Sequence, residues 1–274
     1  MDSRSVQATL NYTADNGVTP NHYFYERGAG DPPSVPAGTE SHTVTIESAW
    51  PQSAKLSLDV EGFILRPFDG EFSDFEDECS IRGTFHEQVI SFVKRHTGAR
   101  RVEIFDHTVR RRMDDPSNLS DQTTVKRPAV QMVHCDYTAN SGPQRVRDCF
   151  PEEAEYLLGR RVAFYNVWKP LYNQVEELPL AMCDVKSTPP EDFIKVDLLY
   201  KERTGEVYVM RYSPTHRWMY FPLMEANQAI ILKTYDSETD GRARFMAHTA
   251  FEDPSSPENP IPRESIEVRT MAFF

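Results

Sequence analysis

From residue 161 to the C-terminus, short apolar runs alternate with turn residues at intervals too short for long helices. The runs 161–168, 195–201, 206–212, 217–221, 229–235, 243–250 and 263–273 carry the β-branched and aromatic residues of strands. Lys169-Pro170, Arg203-Thr204-Gly205, Ser213-Pro214 and the stretches 236–241 and 253–262 punctuate them. Successive strands with little helix between them predict two packed sheets or a barrel, not a parallel α/β sheet. Upstream the period changes. Phe85, Val89, Phe92, Val93 and His96 recur at helical spacing behind a capping box, Thr84 with Glu87, and Gly98 supplies the stop. Residues 151–159 predict a second helix, with proline first, acids in the opening turn and Gly159 at its end. The first 80 residues are broken by Pro20, Pro32-Pro33, Pro36 and Gly38, with strand-like pieces at 6–12 and 42–47. They are expected to wrap the core and contribute a lid. The pattern therefore predicts one domain over 1–274, mainly β with flanking helices around a double-stranded β-helix core of the jelly-roll or cupin type, with 1–80 as an N-terminal wrapping region.

Charge and composition narrow the partners. A formal net charge of −12 repels phosphate backbones, and the run Arg110-Arg111-Arg112 is local, with Asp114 and Asp115 directly after it, so nucleic acid is not an expected partner. No apolar run approaches the roughly 20 residues of a membrane helix, and the start Met1-Asp2-Ser3-Arg4 lacks the apolar core of a signal peptide. A cytoplasmic protein without a membrane partner is expected. Cys79, Cys135, Cys149 and Cys183 lack C-x-x-C spacing and read as free thiols. The acidic stretch 69–79 lacks EF-hand spacing and reads as a solvated loop. The Phe273-Phe274 end would be awkward in water, and a homodimer is one arrangement that would cover it.

The chemistry concentrates at His134-Cys135-Asp136. On a strand, residues i and i+2 share a face, so His134 and Asp136 stand side by side while Cys135 points away, a poor placement for a nucleophile. His248 lies in the apolar stretch 244–251 and can supply a third ligand. Two imidazoles and one carboxylate are the set that holds non-haem Fe(II) on one face, leaving positions for a co-substrate and O₂. A 2-oxoglutarate co-substrate needs a cation for its far carboxylate, and a bidentate arginine is the natural choice. Period two places Arg263, Ser265, Glu267 and Arg269 on one face of the last strand, with Ile266 and Val268 on the other. The bland alternative makes Glu267 and Arg269 a structural ion pair and leaves Arg263 at the surface.

The series Phe105-Asp106-His107-Thr108-Val109-Arg110-Arg111, Val133-His134-Cys135-Asp136-Tyr137-Thr138, Asn166-Val167-Trp168-Lys169-Pro170-Leu171, Pro179-Leu180-Ala181-Met182-Cys183-Asp184, His216-Arg217-Trp218-Met219-Tyr220-Phe221, Lys233-Thr234-Tyr235-Asp236-Ser237, His248-Thr249-Ala250-Phe251-Glu252-Asp253-Pro254 and Pro262-Arg263-Glu264-Ser265-Ile266-Glu267-Val268-Arg269 runs through the chain in one order. It resembles the fungal and bacterial oxidoreductases grouped with the cephamycin 7α-hydroxylase component and gibberellin desaturase-like proteins, over about residues 56 to 274. The resemblance implies an Fe(II)- and 2-oxoglutarate-dependent oxygenase that uses O₂ to oxidise an unactivated C–H of a small-molecule natural product, by hydroxylation, desaturation or a related oxidation. It puts His134, Asp136 and His248 on the metal positions and Arg263 or Arg269 on the arginine strand. A small-molecule-binding or isomerase-like barrel working beside a biosynthetic enzyme is the alternative class.

Other residues carry two readings each. His216 rivals His248 as third ligand, although it follows a turn, and His96 reads as a packed histidine. His107 and Tyr137 are pocket candidates. Asn166 could bond the co-substrate and Trp168 wall the substrate, or both could belong to the core. Lys233, inside an apolar run, requires an acid partner or a ligand if buried.

Overall fold

The computed structural model describes residues 5–111 and 126–274; Arg112, Asp114 and Asp115 lie outside them. Two sheets form the body. The larger has nine strands in the order β1 (Val6–Tyr12), β3 (Glu40–Ser48), β12 (Trp218–Tyr220), β9 (Leu180–Cys183), β14 (His248–Ala250), β7 (His134–Cys135), β11 (Thr204–Met210), β10 (Phe193–Leu199) and β2 (Asn21–Tyr23). The smaller runs β4 (Phe63–Pro67), β13 (Gln228–Asp236), β8 (Val162–Pro170), β15 (Ser265–Phe273), β5 (Arg101–Arg110) and β6 (Lys126–Arg127). Apolar side chains of both sheets, among them Met182 and Met219 from one and Trp168 and Leu232 from the other, share one core. This is the double-stranded β-helix that the strand spacing predicts.

The centre of the smaller sheet is its most buried part. All nine residues of β8 are buried, which suits a strand flanked by β13 and β15 and covered on both faces. Its outer face is covered by helix. Asp77 accepts from the backbone amides of Cys79 and Ser80 and so starts helix α1 (Glu78–Ser80), which runs through a π turn at Ile81–Phe85 into α2 (His86–Thr97). The helix therefore begins ahead of Thr84, which lies inside it, and the end of the acidic stretch is its cap instead of a solvated loop. Gly98 ends α2 in the left-handed conformation at φ 73°.

The first 80 residues do more than wrap. They add β1, β2 and β3 to the nine-stranded sheet and β4 to the other. At the opposite terminus, Phe273 is buried against Phe150, and the Arg161 guanidinium lies 4.2 Å from the ring centre of Phe274. The aromatic end is thus covered within the chain and supplies no reason for a second copy. The four cysteines are free. Among the described residues, no helix is long and apolar enough to cross a membrane.

Candidate functional site

Strand register brings the first two side chains together. β7 has only two residues, yet it is held between β14 and β11, and His134 stands directly opposite His248 across the β7–β14 pair. Opposed residues of an antiparallel pair project from one face, and here the ring centres are 4.4 Å apart. Asp136 follows the strand, with its Oδ1 3.6 Å from His134 Nε2. One donor atom from each of His134, Asp136 and His248 lies within 4.8 Å of the other two.

Each imidazole is oriented by its own backbone. His134 Nδ1 lies 2.7 Å from the carbonyl of Met132, and His248 Nδ1 lies 3.3 Å from that of Met246. A carbonyl only accepts, so both rings carry a proton on Nδ1 and leave an unprotonated Nε2 for the cluster. Burial, with His248 adjacent, pushes the His134 pKa down to about 4, so the ring is neutral as a metal ligand must be. Asp136 behaves in the opposite way. Burial alone would raise its pKa, but Arg269, the two histidines and a hydrogen bond from Asn166 together hold it below the usual carboxylate range.

Asp136 is fixed by the smaller sheet. Asn166 Nδ2 donates to its Oδ2 at 2.5 Å, and Arg269 Nε lies 3.5 Å from the same oxygen. Asn166 and Arg269 are themselves directly opposite on β8 and β15. Glu267 accepts from Arg269 Nη2 at 2.5 Å and from Asn166 at 3.2 Å, while Asp106 accepts from Arg269 Nη1 at 2.7 Å. Arg269 is therefore surrounded by three acids. Asn166 donates to Asp136, and its buried Oδ1 has no partner among the described residues.

Arg263 has a different environment. Its guanidinium is buried and meets no carboxylate among the described residues; Nη1 donates to the carbonyl of Leu178, and Cζ lies 5.7 Å from the centre of the Trp168 ring. Leu178 adopts φ 45°, a left-handed conformation costly for a leucine, in the loop that presents this carbonyl. Burial, and then Arg110, push the Arg263 pKa down to about 10, and Glu177, which accepts from the Arg263 backbone amide at 3.1 Å, and Glu267 offset only part of that. Ser265, two residues on, has a buried hydroxyl with no partner among the described residues.

The remaining candidates separate. Tyr137 lines a cavity of about 500 Å³ that also reaches Asp136 and Arg269. His107 does not join it. Opposite Val268 on β5, it points to the helix side, where it bonds His86 and Glu78 at 3.2 and 3.1 Å. His216 is engaged elsewhere, with Asp192 and Tyr12 at 3.0 and 3.2 Å. Lys233 is salt-bridged to Asp59 and Asp236. The sequence reading missed Asp106, which shares a face with Arg269 only because of the β5–β15 register.

A jelly roll whose two sheets enclose two unprotonated imidazole nitrogens and a carboxylate oxygen has the donors to hold one divalent ion, and the set suits Fe(II). The comparisons agree with that class. The family described as oxidoreductase/YMDC permease-like domain matches residues 10–273. The chain is 30% identical to the hydroxylase/desaturase efuI of Hormonema carpetanum, over 100% of this chain and 97% of the relative. It is 31% identical to the Fe(II)/2-oxoglutarate-dependent dioxygenase nvfI of Aspergillus novofumigatus, over 85% and 83% of the two chains. A solved structure of the iron and alpha-ketoglutarate-dependent endoperoxidase NvfI superposes with a TM-score of 0.85 at 25% identity, covering 98% of both chains. The chain belongs to this family of Fe(II)/2-oxoglutarate-dependent oxygenases.

Proposed function

We propose that His134, Asp136 and His248 hold Fe(II) on one face and that Arg263 takes the far carboxylate of 2-oxoglutarate. The observation that carries the second assignment is the contrast between the two arginines. Arg269 is saturated by Asp106, Asp136 and Glu267, whereas the buried Arg263 guanidinium has no ion pair among the described residues, and the neighbouring Glu177 bonds the Arg263 backbone amide instead. A guanidinium fork matches a carboxylate in two parallel hydrogen bonds, and the free Ser265 hydroxyl nearby can add a third. Trp168, stacked near Arg263, walls the co-substrate site.

When bound, the iron supplies O₂ activation coupled to oxidation of 2-oxoglutarate to succinate and CO₂. The chain supplies position and exclusion of water. The carbonyls of Met132 and Met246 fix both imidazole tautomers, and Asn166 with Arg269 holds Asp136 Oδ2 so that Oδ1 faces the histidines. The names of the relatives support oxidation of an unactivated C–H of a specialised metabolite, by hydroxylation, desaturation or a related oxidation. The same reading makes residues 1–274 one catalytic domain working in the cytoplasm on a diffusible small molecule, without nucleic-acid or membrane partners.

Anaerobic titration of the full chain with Fe(II) and then 2-oxoglutarate tests the reading. A weak visible charge-transfer band is expected, with succinate formed on admitting O₂. His134→Ala and Asp136→Ala should each abolish the band. A wild-type chain that binds iron but shows neither band nor succinate sinks it.

A further inference from the structure

The cavity beside Asp136 is built from several elements. Helix α3 (Ser141–Cys149) gives Arg145, the β10–β11 turn gives Tyr200 and Arg203, and β5 gives Phe105. Two of its arginines share an arrangement. The Arg145 guanidinium lies 5.1 Å from the centre of the Phe105 ring, and that of Arg203 lies 4.0 Å from the centre of the Tyr200 ring, itself stacked on Phe24 at 4.5 Å and 6°. Stacking occupies one face of a guanidinium and leaves its in-plane N–H donors for a planar acceptor. Neither arginine has an ion pair or side-chain hydrogen bond among the described residues.

Each of the four acids around the same cavity accepts a hydrogen bond, although the donor to Asp148 is a neutral amide. Asp106 accepts from Arg269, and Asp136 from Asn166. Asp148 accepts from Gln144 at 2.8 Å, while Glu206 is bonded by Thr138 at 2.7 Å and Lys195 at 3.2 Å. In a chain with 42 acids and 30 bases, carboxylates are in surplus, yet none among the described residues closes on Arg145 or Arg203. Phe24, Leu198 and Val207 add apolar surface to a lining that is otherwise largely polar, which suits a substrate with both an apolar body and polar groups.

We infer that the substrate is a carboxylic acid: its carboxylate docks on Arg145, assisted by Arg203, and its apolar body lies along the aromatic walls toward Asp136. This rests on the oxygenase reading above for what happens to the body, but the anion subsite stands on its own residues. Arg145 is a positioning and specificity residue under this inference.

The test uses the full chain and matched pairs of 2-naphthoic, 9-anthroic and abietic acids with their primary amides, titrated calorimetrically with and without Fe(II) and saturating 2-oxoglutarate. At least one acid should bind ten-fold or more tighter than its amide. Arg145→Gln should remove that preference, Arg145→Lys should restore part of it, and Arg203→Gln should weaken it about three-fold. Arg263→Gln should leave it intact, which separates this subsite from the co-substrate's. The inference is overturned if no acid outbinds its amide, if 2-naphthylmethylamine binds more tightly than the acids, or if the preference follows Arg263 instead of Arg145. Acid preference in a chain that shows no charge-transfer band would overturn the iron assignment and leave the anion subsite standing.

Discussion

The two faces of the nine-stranded sheet each carry a histidine cluster, and only one has donors to spare. On the inner face, His134 and His248 give Nδ1 to backbone carbonyls and keep Nε2 free beside Asp136. On the outer face, His216 spends Nδ1 on the Tyr12 hydroxyl and Nε2 on Asp192, and Trp218 Nε1 donates to the same hydroxyl at 2.7 Å. Both clusters are at least half-buried and both include a carboxylate. What separates a ligand site from a structural one is which ring nitrogen the protein has left unused.

The largest effects should fall on the inner face. Asp136→Ala removes one of three donors and leaves Arg269 without one of its acids, so iron binding measured by equilibrium dialysis should fall by more than 100-fold. His216→Ala should leave iron affinity unchanged within a factor of two and instead lower stability by about 2–3 kcal/mol in chemical denaturation, through a cavity and two stranded partners. If His216→Ala lost the iron while His248→Ala kept it, the two faces would exchange roles. Next in size is the arginine pair. Arg263→Gln should raise the KM for 2-oxoglutarate by about ten- to 100-fold, the worth of roughly 1.5–3 kcal/mol for a charged hydrogen-bonded partner, with little change in Tm. Arg269→Gln, by leaving Asp106, Asp136 and Glu267 without their shared cation, should cost about 3–5 kcal/mol of stability. Asn166→Ala sits below both. Loss of a bond that orients a ligand should weaken iron about ten-fold, without changing the KM for 2-oxoglutarate more than two-fold.

Much of this contrast was legible before any coordinates. Period two on the last strand put Ser265, Glu267 and Arg269 on one face, and the strands after residue 161 announced the two-sheet body. The expectation failed where partners decide. His107 and Asp106 are adjacent, and only pairing with β15 shows that Asp106 faces Arg269 while His107 faces the helix. The run 243–250 reads as one strand, but only His248–Ala250 joins the ladder. Helix α3, which carries Arg145, was missed because Gly142 and Pro143 near its start resemble a turn. Gly142 is needed there because a Cβ would come within 2.6 Å of the Tyr235 ring. The Asp77 cap was hidden inside an acidic stretch whose charge suggested solvent. The bland pairing of Glu267 with Arg269 does occur, but the surface position expected with it for Arg263 does not.

The smallest expected effect comes from a third histidine site, the pair on the helix side, and it sharpens the same lesson. His86 Nε2 meets His107 Nδ1, and His107 Nε2 meets Glu78, so this pair is also consumed internally. Burial, and then His107 and Arg82, push the His86 pKa down to about 4. A base whose pKa is depressed in the folded chain takes up its proton in the unfolded chain first, so stability is full above about pH 6.5 and declines as pH falls toward 4. At this half-buried site solvent screening reduces the loss to about 1 kcal/mol. His86→Gln, which keeps a polar group of similar reach, should flatten the dependence of denaturation midpoint on pH between 6.5 and 4. Iron affinity at pH 7 should not move. If the slope were unchanged by His86→Gln, the acid sensitivity would come from the other imidazoles with lowered pKa, His134, His96 and His216, and a contribution from His134 would show as a steeper slope on loading the protein with metal.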